Sequence, residues 1–190
     1  MKLPNHFPRK IMKLHEKISN QASKLTKLNS KRINCKLGCS GCCIDNITVY
    51  KVESTPIIAN YKALLKTGVP HKLGKCAFLD QTGACRIYEH RPYVCRTQGL
   101  PLRWREADLG SGEEEDEEFE FRDICKLNDL PVDGEFPTIV ELPEEYCWSI
   151  GKFEFLLSEL QREFQGCTEK EDGGEVLERV KLRDLFVNNV

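Results

Sequence analysis

Cys35-Lys36-Leu37-Gly38-Cys39-Ser40-Gly41-Cys42-Cys43 decides how this chain is read. Four cysteines and two glycines in nine residues leave too little for a helix or a strand, so the segment is a turn built around its thiols. Working outward, Cys76, Cys85 and Cys95 follow, so that seven of the ten cysteines fall between 35 and 95. Cys125, Cys147 and Cys167 are spread downstream. Thiolates are the ligands that zinc and iron–sulfur centres gather in threes and fours. A Cys-x2-Cys step lets two sulfurs turn toward one ion, and Gly38 and Gly41 give the backbone freedom for that turn.

Cys76-Ala77-Phe78-Leu79 and Ala84-Cys85-Arg86-Ile87-Tyr88 read as a hairpin around Asp80-Gln81-Thr82-Gly83. If Leu79 pairs with Ala84, Cys76 and Cys85 become diagonal neighbours on one face, about 7–8 Å apart, which suits two thiolates gripping an ion. A shift of one residue would send them to opposite faces. Cys42 and Cys43 are adjacent, so their side chains diverge: either two metals are bound or one of the pair is a packed thiol. Cys125 reads equally as ligand or packed thiol, and Cys147 and Cys167 as packed thiols. His90 reads as a surface residue. Arg91 and Arg96 flank Cys95, either to offset the charge of a thiolate site or to pair with Glu89 or Glu106. Cys35-x3-Cys39-x2-Cys42 also has the spacing of the radical S-adenosylmethionine cluster. That reading lacks the aromatic residue before the last cysteine, where Gly41 stands, and the alternating strands and helices that should follow.

The rest of the chain predicts an α+β fold, with short strands, hairpins and several helices around a cysteine-rich centre. Ile11, Leu14, Ile18, Ala22, Leu25 and Leu28 recur at helical spacing over residues 8–29. A strand is expected at 47–51. A helix is expected from Ser54 to a stop at Gly68, and a helix entry at Arg91-Pro92. Residues 102–105 and 119–122 alternate as two strands. A core helix is expected from Tyr146 to Phe164, and a last helix over 175–186. The acidic run 113–118 is expected as a hairpin tip without a metal role. Residues 1–32 form a basic amphipathic extension, with nine Lys/Arg against Glu16 alone, and 33–190 form the cysteine-cluster domain.

The whole chain is 190 residues with 40% hydrophobic and 31% charged side chains, the balance of a globular protein. Its longest apolar run is four residues, Cys76 to Leu79, so no membrane span is expected. The first nine residues lack an apolar core of the secretory type, which makes the reducing cytoplasm the expected setting and free thiols the expected state.

Cys35-x3-Cys39-x2-Cys42-Cys43, Lys75-Cys76-Ala77-Phe78-Leu79-Asp80 and Gly83-Ala84-Cys85-Arg86-Ile87-Tyr88-Glu89-His90-Arg91-Pro92-Tyr93-Val94-Cys95-Arg96 together resemble the YkgJ-type cysteine-cluster family, a zinc- or iron-chelating domain. A related cysteine pattern occurs in flagellin lysine N-methylases. The stretch Arg179 to Phe186 resembles the start of the family's C-terminal helix. The resemblance is firm over roughly 33 to 100 and loose elsewhere. It implies that the matching cysteines bind zinc or iron, with an iron–sulfur cluster among the options. The expected ligands are Cys35, Cys39, Cys42, Cys76, Cys85 and Cys95, with Cys43 and Cys125 as further candidates. The leading reading is a metal-binding protein. The alternatives are an iron–sulfur or zinc enzyme of oxidoreductase or protein-methyltransferase type, and an interaction module folded by its metal. No dinucleotide or phosphate-loop motif points to an organic cofactor. The basic helix and the acidic run are the candidate protein-binding surfaces. No aromatic residue is interleaved among the bases after Phe7, so nucleic acid is not the expected partner.

Overall fold

The computed structural model describes residues 6–35, 38–105, 120–129, 137–166 and 176–186. The elements are α+β: helices α1 Phe7–Leu28, α2 Ser54–Asn60, α3 Lys62–Thr67, α4 Tyr93–Thr97, α5 Lys126–Asp129 and α6 Ile150–Gln165, with strands β1 Thr48–Tyr50, β2 Leu102–Arg105, β3 Glu120–Asp123, β4 Trp148–Ser149 and β5 Arg179–Lys181. The chain divides into two compact units. One holds residues 1–16, 36–95 and 157–190, and the other 17–35 and 96–156.

In the first unit, β1 and β5 pair antiparallel, with Val49 opposite Val180. The pairing is prolonged by Leu182 N–H to the Ile47 carbonyl at 3.1 Å and Lys51 N–H to the Glu178 carbonyl at 3.0 Å. The expected helix over 175–186 is therefore a strand followed by a 3-10 turn, Leu182–Leu185. The free edge of β1 takes Val180, whose branched side chain suits a pleated surface. The core of this unit is centred on Phe78, which is fully buried, with its ring 4.9 Å from that of Phe186. Arg183 ties the neighbouring loop by donating to Asp45 and to the Lys75 carbonyl.

The expected single helix from Ser54 to Gly68 is two. The break falls at Tyr61, whose backbone leaves the helical region (φ −120°, ψ 30°) and whose hydroxyl bonds His90 Nδ1 at 3.0 Å. The stop at Gly68 holds: a Cβ there would lie 2.4 Å from the Leu64 carbonyl oxygen, which Gly68 N–H itself bonds.

In the second unit, β2 pairs antiparallel with β3 and parallel with β4. Trp104 stacks on Phe121 with ring centroids 5.7 Å apart, and buried Trp148 stacks on Phe153 at 4.8 Å. Both expected strands are present, one residue late at β3. The acidic run proposed as their connecting tip lies outside the described residues. The expected core helix begins at Ile150 rather than Tyr146, after a 3-10 turn and β4. Along α1, Ile11, Leu14, Ile18, Ala22 and Leu25 are buried as their spacing predicts. Leu28, on the last residue of the helix, is instead 54% exposed.

Candidate metal centre

The first unit contains Cys39, Cys42, Cys43, Cys76, Cys85 and Cys95; the second contains Cys35, Cys125 and Cys147. All nine are free thiols, and Cys167 lies outside the described residues.

The cysteine loop turns at Gly38, whose φ of +89° an L side chain rarely adopts. It then folds on itself through Cys43 N–H to the Ser40 carbonyl at 3.1 Å. Cys76 N–H donates to the Cys43 carbonyl at 2.9 Å, so the loop and the start of the next segment are hydrogen-bonded side by side. That next segment is the expected hairpin in a shifted register. Its single bridge joins Leu79 to Cys85, not to Ala84, with Asp80 N–H to the Ala84 carbonyl and Arg86 N–H to the Phe78 carbonyl, both 2.9 Å. This register lengthens the loop by one residue, and one Asp80 oxygen fills it by accepting both Thr82 N–H and Ala84 N–H.

Cys76 and Cys85 are not separated by the shift, because each sits at the head of its own turn rather than in a flat ribbon. The backbone N–H of Phe78 favours the Cys76 thiolate and that of Ile87 the Cys85 thiolate, each from two residues ahead, against the larger effect of burial. Backbone N–H groups aimed at sulfur favour the thiolate and tune a metal bound to it. The sequence signal for this pairing is the repeated pattern of cysteine, any residue and two apolar or aromatic residues, Cys76-Ala77-Phe78-Leu79 and Cys85-Arg86-Ile87-Tyr88.

The thiols sense one another. Cys43 donates to Cys42, and this bond holds Cys42 down at about 6 against the opposing effect of burial. Cys43 is driven far up by the same hydrogen bond, then by burial and by Cys42, Cys76 and Cys95. Burial pushes Cys76 up and Cys85 adds to it. Burial also raises Cys85, opposed by the Ile87 N–H and by Arg91 and Arg86. Cys95 is driven far up, first by burial and then by Cys76, Cys85, Glu53 and Cys42. Five thiols thus occupy one electrostatic neighbourhood in which they resist ionising together. A cation there would relieve the repulsion and take the place of the protons. The donor set therefore fits zinc or iron: soft sulfur atoms, with Arg91 close enough to favour the Cys85 thiolate while its guanidinium stacks over Tyr88 at 3.9 Å. Among the described residues, no three Cys, His, Asp or Glu side chains are set to hold an ion as they stand, so ligation requires the thiols to close in from these positions.

The other nominated positions are these. Cys39 is half-buried in the same loop, and Ser40 beside it would lie 3.6 Å from a Cβ at Gly83. Cys35, in the second unit, accepts from Asn128 Nδ2 at 3.4 Å. The carbonyl of Cys125 accepts Asn128 N–H at 2.7 Å, and Cys147 is buried with its thiol raised by that burial. His90 is engaged by Tyr61, and Arg96 donates to Ser19 Oγ at 2.9 Å.

Residues 34–126 match the CxxCxxCC family model. The CxxCxxCC family is described as a putative zinc- or iron-chelating domain, and the match takes in just under half of the chain. It contains all eight nominated cysteines and leaves out Cys147 and Cys167, the two read as packed thiols. The cysteine-cluster resemblance and the zinc-or-iron expectation are borne out over this segment. No curated protein and no solved structure matches the chain. No helix among the described residues is long and apolar enough to cross a membrane.

Two residues at this site escaped the sequence reading. Glu53 and His15 are both buried and bond one another at 3.0 Å, and the Glu53 carboxylate acts on Cys95. For His15 the signal was its place on the apolar face of α1, four residues after Ile11 and three before Ile18; Glu53 carries no such signal.

Proposed function

We propose that the CxxCxxCC domain of this chain holds a zinc or iron centre on thiols of the first unit: Cys42, Cys43, Cys76, Cys85 and Cys95, with Cys39 on the same loop. The observation that carries this reading is that five free thiols from three segments lie in one compact unit, with Cys76 N–H bonded to the Cys43 carbonyl at 2.9 Å, and that they oppose one another's ionisation. Six thiols exceed the four that one tetrahedral zinc or one iron–sulfur cluster takes, which supports a second ion or leaves two of the six as packed thiols. In such a centre the metal would supply charge compensation and, as iron–sulfur, an electron-transfer couple. The protein's part is to gather the sulfurs, direct N–H groups at Cys76 and Cys85, and keep Arg91 beside the resulting negative charge. The reducing cytoplasm is the setting in which these thiols stay available.

The test is metal analysis and a visible spectrum of the full chain purified without oxygen. Bound zinc or iron that falls sharply in Cys85→Ser and stays in Cys147→Ser supports the reading. Protein free of both metals, or one whose metal content ignores Cys85→Ser, refutes it.

A further inference from the structure

We propose that Glu53, backed by His15, is a positioning residue for Cys95: its carboxylate fixes the turn that carries this thiol. The inference rests on the thiol-ligation reading above and adds to it residues that are not ligands.

Glu53 is 2% exposed and His15 3%. A carboxylate taken out of water is costly unless its hydrogen bonds are met. Here one oxygen, Oε1, is bonded by His15 Nε2 at 3.0 Å and accepts Tyr93 N–H at 2.8 Å. Tyr93 is the first residue of α4, a helix of only five residues. A helix that short does not hold itself, and its first N–H groups have no partner within it. Pro92 fixes the entry by its ring and offers no N–H. Glu53 therefore supplies the acceptor at Tyr93, and Cys95 N–H closes the turn on the Pro92 carbonyl at 3.0 Å. The sulfur of Cys95 is placed by this turn.

The platform behind Glu53 is rigid. The 3-10 turn Lys51–Glu53 is locked by Ser54 Oγ to the Lys51 carbonyl at 2.7 Å and Thr55 Oγ1 to the Val52 carbonyl at 2.8 Å. Val52 N–H is bound by the buried amide of Gln161 at 2.8 Å. His15 comes from α1, so three elements meet on one oxygen to hold one thiol. Outer partners of this kind commonly govern the affinity of a metal site without touching the metal.

Cobalt(II) titration of the metal-free full chain, without oxygen and in competition with a chelator, reads affinity and sulfur-to-cobalt charge-transfer absorption together. Glu53→Ala is expected to bind about tenfold more weakly or worse, the effect of one charge-assisted hydrogen bond, with reduced charge-transfer intensity. Glu53→Gln keeps an oxygen for Tyr93 N–H and is expected within about threefold of the parent. In a Cys95→Ser background, Glu53→Ala should add no further loss. If Glu53→Ala does not fold, His15→Ala decides: it removes one of the two bonds on Oε1 and should weaken cobalt about threefold or more, again only when Cys95 is present. Unchanged affinity and spectrum in Glu53→Ala or His15→Ala overturn the inference, as does an equal loss with and without Cys95. Absence of charge-transfer bands in the parent chain, seen before any variant is made, overturns the ligation reading itself.

Discussion

Replacing Gly99 by alanine tests the packing around Cys35. Gly99 has φ +90°, and a Cβ there would lie 2.8 Å from Cys35 Sγ and 3.3 Å from Asn128 Nδ2. Neither neighbour is free to move. Asn128 is fully buried; its amide nitrogen bonds the Gly99 carbonyl at 2.7 Å and the Cys35 sulfur at 3.4 Å, and its oxygen accepts Asn34 N–H at 2.8 Å. The left-handed backbone costs an L residue about 1–2 kcal/mol. Displacing the sulfur or a buried amide bond costs about 1–3 kcal/mol more. Gly99→Ala should therefore lose about 2–5 kcal/mol, a large share of the 5–15 kcal/mol typical of a domain. Both tryptophans of the chain, Trp104 and Trp148, lie in this unit, so urea unfolding followed by tryptophan fluorescence under reducing conditions reports on it alone. In a Cys35→Ala background the clash with sulfur is gone, leaving the 3.3 Å approach to Asn128 Nδ2 and about 1–2 kcal/mol of backbone strain. A loss below about 0.5 kcal/mol, or the same loss in both backgrounds, refutes the reasoning.

Two further outcomes follow from the first unit. In metal-free protein Cys42 should be the most reactive thiol: with its pKa at about 6, it is roughly 90% ionised at pH 7, against a few per cent for an ordinary thiol. Its alkylation should fall off only as the pH drops through about 6, and Cys43→Ala, by removing the hydrogen bond that favours the thiolate, should move that fall toward higher pH. A Cys42 rate that rises only above pH 8 in the parent protein contradicts the assignment. Phe78→Ala removes the fully buried ring beside Phe186 while leaving the backbone N–H that favours the Cys76 thiolate, and should destabilise by about 3–5 kcal/mol. Urea unfolding followed by far-UV circular dichroism checks it, and a loss under about 1.5 kcal/mol would show the ring is not central.

What the sequence made legible was local. The burial of α1 follows from the spacing of Ile11, Leu14, Ile18, Ala22 and Leu25, and the β2–β3 pair from the alternation around Trp104 and Phe121, because each pattern is complete within its own segment. The C-terminal strand was illegible because its reason lies elsewhere: Arg179–Lys181 becomes β5 only where the edge of β1, far away in the chain, is open to it. The hairpin register came out with a loop one residue longer, which one Asp80 oxygen fills by accepting two N–H groups. The candidate site divides in the same way. Cysteine spacing was enough to nominate Cys42, Cys43, Cys76, Cys85 and Cys95, whereas the division that puts Cys35 and Cys125 in the second unit is a tertiary property. So is the burial of Glu53, which reads as an ordinary polar residue until the fold closes over it, whereas His15 already lies on the apolar face of α1.

X-ray absorption at the zinc or iron edge of the oxygen-free full chain tests the central claim most directly. The account predicts a metal surrounded by sulfur, about four neighbours at ~2.3 Å each, with sulfur lost from that set in Cys76→Ser and Cys85→Ser. A metal surrounded by nitrogen and oxygen at ~2.0–2.1 Å, with a spectrum indifferent to those substitutions, would contradict it.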